Sequence, residues 1–240
     1  MLLAKFMRPI ATITSAPMPT NANKIALNRH SHVKNRLLSP IEAPFTRTDR
    51  CDLADDPENG YNITMHQTLK CHPDLRCDAV KSIEVEIRRM GSGMLVLRYV
   101  VTGAIGDLAI PPVAMPARTD ELWRQTCFEA FLRTGPGGAY SEFNFAPSTQ
   151  WAIYRFSSYR DGMTAAAGAP HIEVKSDAAG FELRATFTPD GPPSDAPWQL
   201  GLSAVIEEKS GRKSYWALAH PPGRPDFHHS DCFAIAVEEP

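Results

Sequence analysis

Two carboxylates and an amide fall on what read as neighbouring strands: Glu129, then Glu142 and Asn144 two positions apart. A pair of carboxyl groups flanking a glycosidic bond is the apparatus of glycoside hydrolysis, one acting as acid and the other as base or nucleophile. Nothing in the local sequence marks Glu129 and Glu142 for different roles, and any sheet carries such pairs. His228-His229-x-x-Cys232, together with Cys71, His72 and Cys77, offers zinc-type ligands, although Cys71-x5-Cys77 is not a standard metal spacing. Cys127 lies in an apolar run without a cationic neighbour in sequence, so it lacks the surroundings that activate a thiol. There is no Gly-x-Ser-x-Gly, no phosphate-binding glycine loop and no His-Glu-x-x-His. No catalytic motif is found, and the expected role is binding rather than catalysis.

The elements that must position these residues repeat with a period of two. Ile83, Val85 and Ile87 alternate with Glu84, Glu86 and Arg88, and Leu95, Leu97, Tyr99 and Val101 follow the turn Gly91-Ser92-Gly93. Further alternation runs through 127–132, 142–145, 151–156, 181–187, 200–206, 215–218 and 233–237. This is the half-buried strand pattern. The breaks carry turn residues, among them Gly135-Pro136-Gly137-Gly138 and the proline-rich 189–197. Successive strands with short turns predict an all-β fold: an antiparallel two-sheet β-sandwich of jelly-roll or immunoglobulin-like type. A few short helical turns are expected at Thr119–Leu122 and within Asp161–Gly168. Proline, 21 of 240 residues, is nearly twice its usual share of about 5% and fits loops between strands rather than helices.

A four-residue loop at 135–138 sets a register in which Glu129 faces Asn144 and Phe131 faces Glu142. Phe128, Leu132, Phe143 and Phe145 then share a core face. The opposite face mixes Glu129, Glu142 and Asn144 with Phe131 and Tyr140, and the next strand is read as adding Trp151, Ile153 and Arg155 to it. Bulky rings among fixed polar groups suit a ligand surface. A one-residue slip would reverse every side chain.

Two runs carry a resemblance. Glu121-Leu122-Trp123-Arg124-Gln125-Thr126-Cys127-Phe128-Glu129-Ala130-Phe131-Leu132 and Tyr140-Ser141-Glu142-Phe143-Asn144-Phe145-Ala146-Pro147-Ser148 resemble the DOMON-like and family 9 carbohydrate-binding-module superfamily. Trp151–Phe156 and Pro225–Phe233 resemble an uncharacterised bacterial DOMON-like subgroup. The resemblance spans about 61–238. It implies a β-sandwich that binds sugars or haem without catalysis. In sugar-binding relatives two aromatic rings hold a sugar between them, and acidic, amide and basic groups take its hydroxyls. Trp123 matches the first ring and Glu129 the acidic residue. Asn144 and Arg155 are candidate hydroxyl partners, Phe227 stands near the second ring position with Phe in place of Trp, and His228 adjoins it.

Plainer roles exist for each residue. Trp123 serves as well as a packing residue where the loop enters the fold, Glu129 as a structural ion pair with Arg155, and Asn144 as a group satisfying a turn or bulge. Haem, the superfamily's other ligand, would take Met and His axial groups. His66, His220, His228, His229, Met65, Met90, Met94 and Met115 are available, and no pair stands out by spacing.

Residues 1–60 show few strand patterns and are expected to form a disordered or non-domain extension, with one DOMON-like domain over 61–240. The extension is basic up to Pro40, but Arg8 and Pro9 interrupt its opening apolar run, so no signal peptide is recognised and a cytoplasmic location is expected. No run approaches a membrane span. A formal net charge of −2 and pI of about 6.4 do not point to nucleic acid. The expected partner is a small molecule, sugar or haem. Five cysteines do not make a disulfide framework, although a Cys127–Cys232 bridge is open.

Overall fold

A computed structural model describes residues 63–135, 137–178, 180–190 and 198–238. The expected 1–60 extension lies outside the described residues. The strands, in chain order, are β1 (Ile63–Cys71), β2 (Val80–Arg89), β3 (Leu95–Gly103), β4 (Cys127–Arg133), β5 (Tyr140–Phe145), β6 (Trp151–Phe156), β7 (Thr164–Ala165), β8 (His171–Ser176), β9 (Gly180–Phe187), β10 (Trp198–Glu207), β11 (Lys213–Ala217) and β12 (Ile235–Val237). Helix among the described residues is confined to 3₁₀ turns at Ile105–Asp107, Leu122–Arg124 and Ser230–Cys232.

All strand pairings are antiparallel, in the order β7-β6-β5-β4-β10-β11-β1-β2-β3-β9-β8, with β12 paired to β10. The path is continuous because β1 joins β11 through two pairs, Lys70 with Ala217 and Cys71 with Trp216. The sheet curls into a half-barrel, bringing its two arms together over one apolar interior. Alternation supplies that interior: Ile83, Ile87, Leu97 and Tyr99 from one arm and Phe128, Ala130, Leu200 and Ala204 from the other are fully buried. The arms meet ring to ring. Phe128 stacks on Phe181 with centroids 5.8 Å apart, and Phe143 lies 4.5 Å from Phe187. Tyr99 spans the gap and donates its hydroxyl to the Glu129 carbonyl at 2.9 Å.

Several sequence expectations need correction. Asp161–Gly168 holds no helix; it contains the short strand β7. The predicted strand from Phe233 starts at Ile235, and Cys232 ends a 3₁₀ turn instead. Strands β1 and β8 are additional to those expected. Cys127 and Cys232 are both free, so no bridge joins them.

Candidate functional site

Strand β4 is buried on both sides, which explains why six consecutive residues from Cys127 to Leu132 are all inaccessible. One side enters the main interior. The other lies under a second, smaller apolar cluster containing Phe131, Tyr140, Tyr154, Phe156, Phe227 and Phe233, with Leu122 packed against it. The chain from Leu218 to Phe233 covers this face. It passes so close over β10 that a Cβ on Gly201 would lie 2.8 Å from the Cys232 carbonyl oxygen.

The β4–β5 register is as expected: Glu129 opposite Asn144 and Phe131 opposite Glu142. Glu129, Glu142 and Asn144 are therefore side by side, and each is almost fully buried, at 3%, 6% and 1% exposed. Asn144 Nδ2 donates to Glu142 Oε1 at 2.7 Å, and Ser203 Oγ on β10 donates to Glu129 Oε2 at 3.3 Å. Burial, then the neighbouring Glu142 charge, pushes the Glu129 carboxyl well above the usual carboxylate range. Burial also raises Glu142, while the Asn144 hydrogen bond and the Arg160 charge work against that rise. Both carboxyls thus hold a proton more readily than a solvated one.

His228 drops onto this pair from the covering segment. Its ring packs edge-on to Phe131 and Phe156, each with centroids 5.1 Å away. Nδ1 lies 2.8 Å from the Tyr140 hydroxyl, and Nε2 lies 3.8 Å from Glu142 Oε2. The Tyr140 hydroxyl accepts from the Arg160 backbone N–H at 3.2 Å. Donation from that hydroxyl to Nδ1 leaves the imidazole proton on Nε2, facing Glu142. Burial and the Arg160 charge lower His228 to about 4, so its imidazole is neutral at pH 7.

Asp226 fastens the segment. It accepts from Arg160 Nη2 at 2.7 Å and Nε at 3.2 Å, from the His228 N–H at 3.1 Å, and from the Tyr159 hydroxyl. Burial opposes its charge, but the Tyr159 and Arg160 hydrogen bonds outweigh burial and hold its pKa below the usual value. At the other end the Arg133 guanidinium lies 4.4 Å from the Phe233 ring.

A second group of polar and aromatic residues lies at 118–124, on the surface. Trp123 is 47% exposed, with the Arg124 guanidinium 5.3 Å from its ring and Arg124 paired to Glu121 at 2.8 Å. Arg118 forks onto Asp120 at 2.8 and 3.2 Å, and the Tyr154 hydroxyl donates to Asp120 at 2.6 Å. Leu122 anchors the turn in the smaller cluster, and Lys213 Nζ donates to the Arg124 carbonyl.

Of the expected site residues, Glu129, Asn144 and His228 come together, and Phe227 joins their apolar surround, against Tyr215 and His220. Trp123 is 47% exposed at the surface, whereas those residues are buried or nearly so. Arg155 does not belong: β5 and β6 pair Asn144 with Ala152 and Glu142 with Tyr154, so Ala152, Tyr154 and Phe156 share the carboxyl face. Trp151, Ile153 and Arg155 point the other way, and Arg155 pairs with Asp190 at 3.2 Å rather than with Glu129. Asn144 binds Glu142 rather than a turn or bulge. The zinc-type set does not converge either. Cys232 Sγ turns to the carbonyls of Ala219 and Asp226, His228 turns to Tyr140, and no cluster of three or more ligating side chains forms among the described residues.

Arg160, Asp226 and Ser203 were not anticipated. They meet the site across 66 and 74 positions of chain, beyond the reach of any local pattern.

No protein-family model matches the chain, and no curated protein matches it. Solved structures do. A presumed carbohydrate-binding protein from Bacteroides uniformis superposes with a TM-score of 0.52 at 16% identity, over 72% of this chain and 86% of that one. A family 9 carbohydrate-binding module from Caldicellulosiruptor kristjanssonii, in complex with cellotriose, matches with a TM-score of 0.41 at 13% identity over 67% and 75%. The chain thus shares its mostly β, antiparallel fold with the Bacteroides protein.

Proposed function

We propose that this chain is a non-catalytic carbohydrate-binding module of a two-layer β-sandwich type, with Trp123 as its stacking platform. The observation that carries the reading is a half-exposed indole beside the Arg124 guanidinium, in a segment rich in charged pairs. The Arg118–Asp120 and Glu121–Arg124 pairs belong to the same segment, and Tyr154 and Leu122 anchor it in an apolar cluster. Sugar C–H faces are apolar and stack on rings, while hydroxyls take charge-assisted hydrogen bonds. Glu129, Asn144, Glu142 and His228 lie too deep to meet a ligand first; in this reading they hold the sheet face and its covering segment in shape. The fold shared with the Bacteroides protein, and the ring contacts between the two arms of the sheet, support the reading.

A glycan array on the full chain, followed by calorimetric titration of the best ligand, tests it. Trp123→Ala is expected to weaken binding at least tenfold, ~1.4 kcal/mol, with Tm unchanged. Arg155→Ala, on the opposite face, is expected to change nothing. An array without a hit, or a ligand indifferent to Trp123→Ala, would sink the proposal. A parallel haem titration is expected to leave the Soret band of free haem unshifted.

A further inference from the structure

Strand β8 ends the sheet: it pairs with β9, and no described strand lies on its other side. An open edge offers unpaired backbone donors and acceptors to another strand. Its outward side chains, His171, Glu173 and Lys175, are exposed, while Ile172 is buried and Val174 partly so. Beside it lies a largely apolar groove of about 300 Å³, lined by Ile110, Val113, Val174, Phe181 and neighbouring prolines together with Lys175 and Ser176. Val113 is 66% exposed and Met115, two residues on, 86%.

We propose that β8 is the contact between two copies of this chain, which pair edge to edge around a two-fold axis at Val174. The occupant follows from charge. The outer face of this arm carries ion pairs between strands, Glu86 with Arg98, Arg98 diagonally with Glu182, and Arg184 with Glu173 at 3.6 Å, while Arg98 and Arg184 stand directly opposite each other. Lys175 stands opposite Glu182 in register. A second β8 placed antiparallel, with Val174 on Val174, sets Glu173 of each copy against Lys175 of the other, two opposite-charge pairs across the new seam. An axis at Glu173 or Lys175 would oppose like charges. An axis between residues would put an outward charge against an inward apolar side chain. Opposite-charge pairs directly across strands stabilise the pairing, and like pairs oppose it. The same arrangement brings the two apolar grooves together beneath Val174.

Light scattering on the full chain over a concentration series tests this. The unaltered chain is expected to approach twice its monomer mass. Glu173→Lys and Lys175→Glu are each expected to raise the dissociation constant at least tenfold. Mixed together, the two variants are expected to form a heterodimer, since each supplies the charges the other needs. That association also shows that both variants are folded. A chain monomeric at every concentration, a dimer indifferent to either substitution, or variants that fail to combine overturns the proposal.

Discussion

Glu129 and Glu142 place two acids in the same dry strip of sheet, and only one can be ionised cheaply. Both have pKa values raised in the fold, so they favour the folded state where they are protonated. Below about 4.5 the unfolded chain is protonated too and the pair costs nothing. As pH rises from there the unfolded carboxyls ionise first, and stability falls until the folded pKa values are passed. His228 works in the opposite direction. Lowered from 6.5 to about 4, it costs nothing above pH 6.5, and its cost grows as pH falls towards 4. Glu142→Gln is therefore expected to raise Tm at pH 8, by about 2–4 °C per kcal/mol of relieved repulsion, with the gain shrinking towards pH 4. Thermal melts across that range check it. A loss of Tm at every pH would mean that the ionised pair stabilises the fold. The local pattern placed both carboxyls on one face, and the register agrees. It could not reveal that the face is dry, because the cover comes from residues 76 or more positions away.

Among the elements, the segment from Leu218 to Phe233 is the one that turns a sheet surface into a buried site. It is held by the bonds to Asp226 and by ring packing of His228 and Phe233 on Phe131 and Tyr140. Its approach to β10 depends on Gly201, where any side chain would meet the Cys232 carbonyl. Gly201→Ala is expected to cost ~1–3 kcal/mol and to speed amide exchange in 226–233 more than in the β2–β3 hairpin. Equal acceleration in both would show that the strain spreads through the sheet. Element boundaries also account for the error at Arg155. The connection from Phe145 to Trp151 holds five residues and turns through Thr149 in the left-handed region, at φ 70°. An odd connection carries Trp151 onto the side of Phe145. A threonine with positive φ leaves no composition signal, because glycine is the usual residue there.

In the whole molecule, cohesion depends on rings that bridge the curled sheet. Phe187 in β9 lies 4.5 Å from Phe143 and 5.3 Å from Phe145 in β5, and is 6% exposed. Phe187→Ala is expected to cost ~3–5 kcal/mol and to shift one cooperative melting transition downward. Two separated transitions would show that the arms unfold independently. If the chain pairs through β8, each assembly would present two Trp123 platforms, and binding to a repeating glycan would gain from their linkage.

Alternation of apolar and polar residues is a local property, and it was enough to assign most of the strands and the β4–β5 register, though not β1, β7 or β8, nor the inward face of β6. Those features depend on a period of two and a short loop, both written within about 20 residues. Strand order is different. That β10 lies between β4 and β11, that β9 lies between β3 and β8, and that Arg160 meets Asp226 are decided by which faces can be buried together once the chain has collapsed. The free energy of those choices is shared among side chains far apart in sequence. Only the tertiary structure therefore separates exposed Trp123 from buried Glu129, and turns Arg155 away from both.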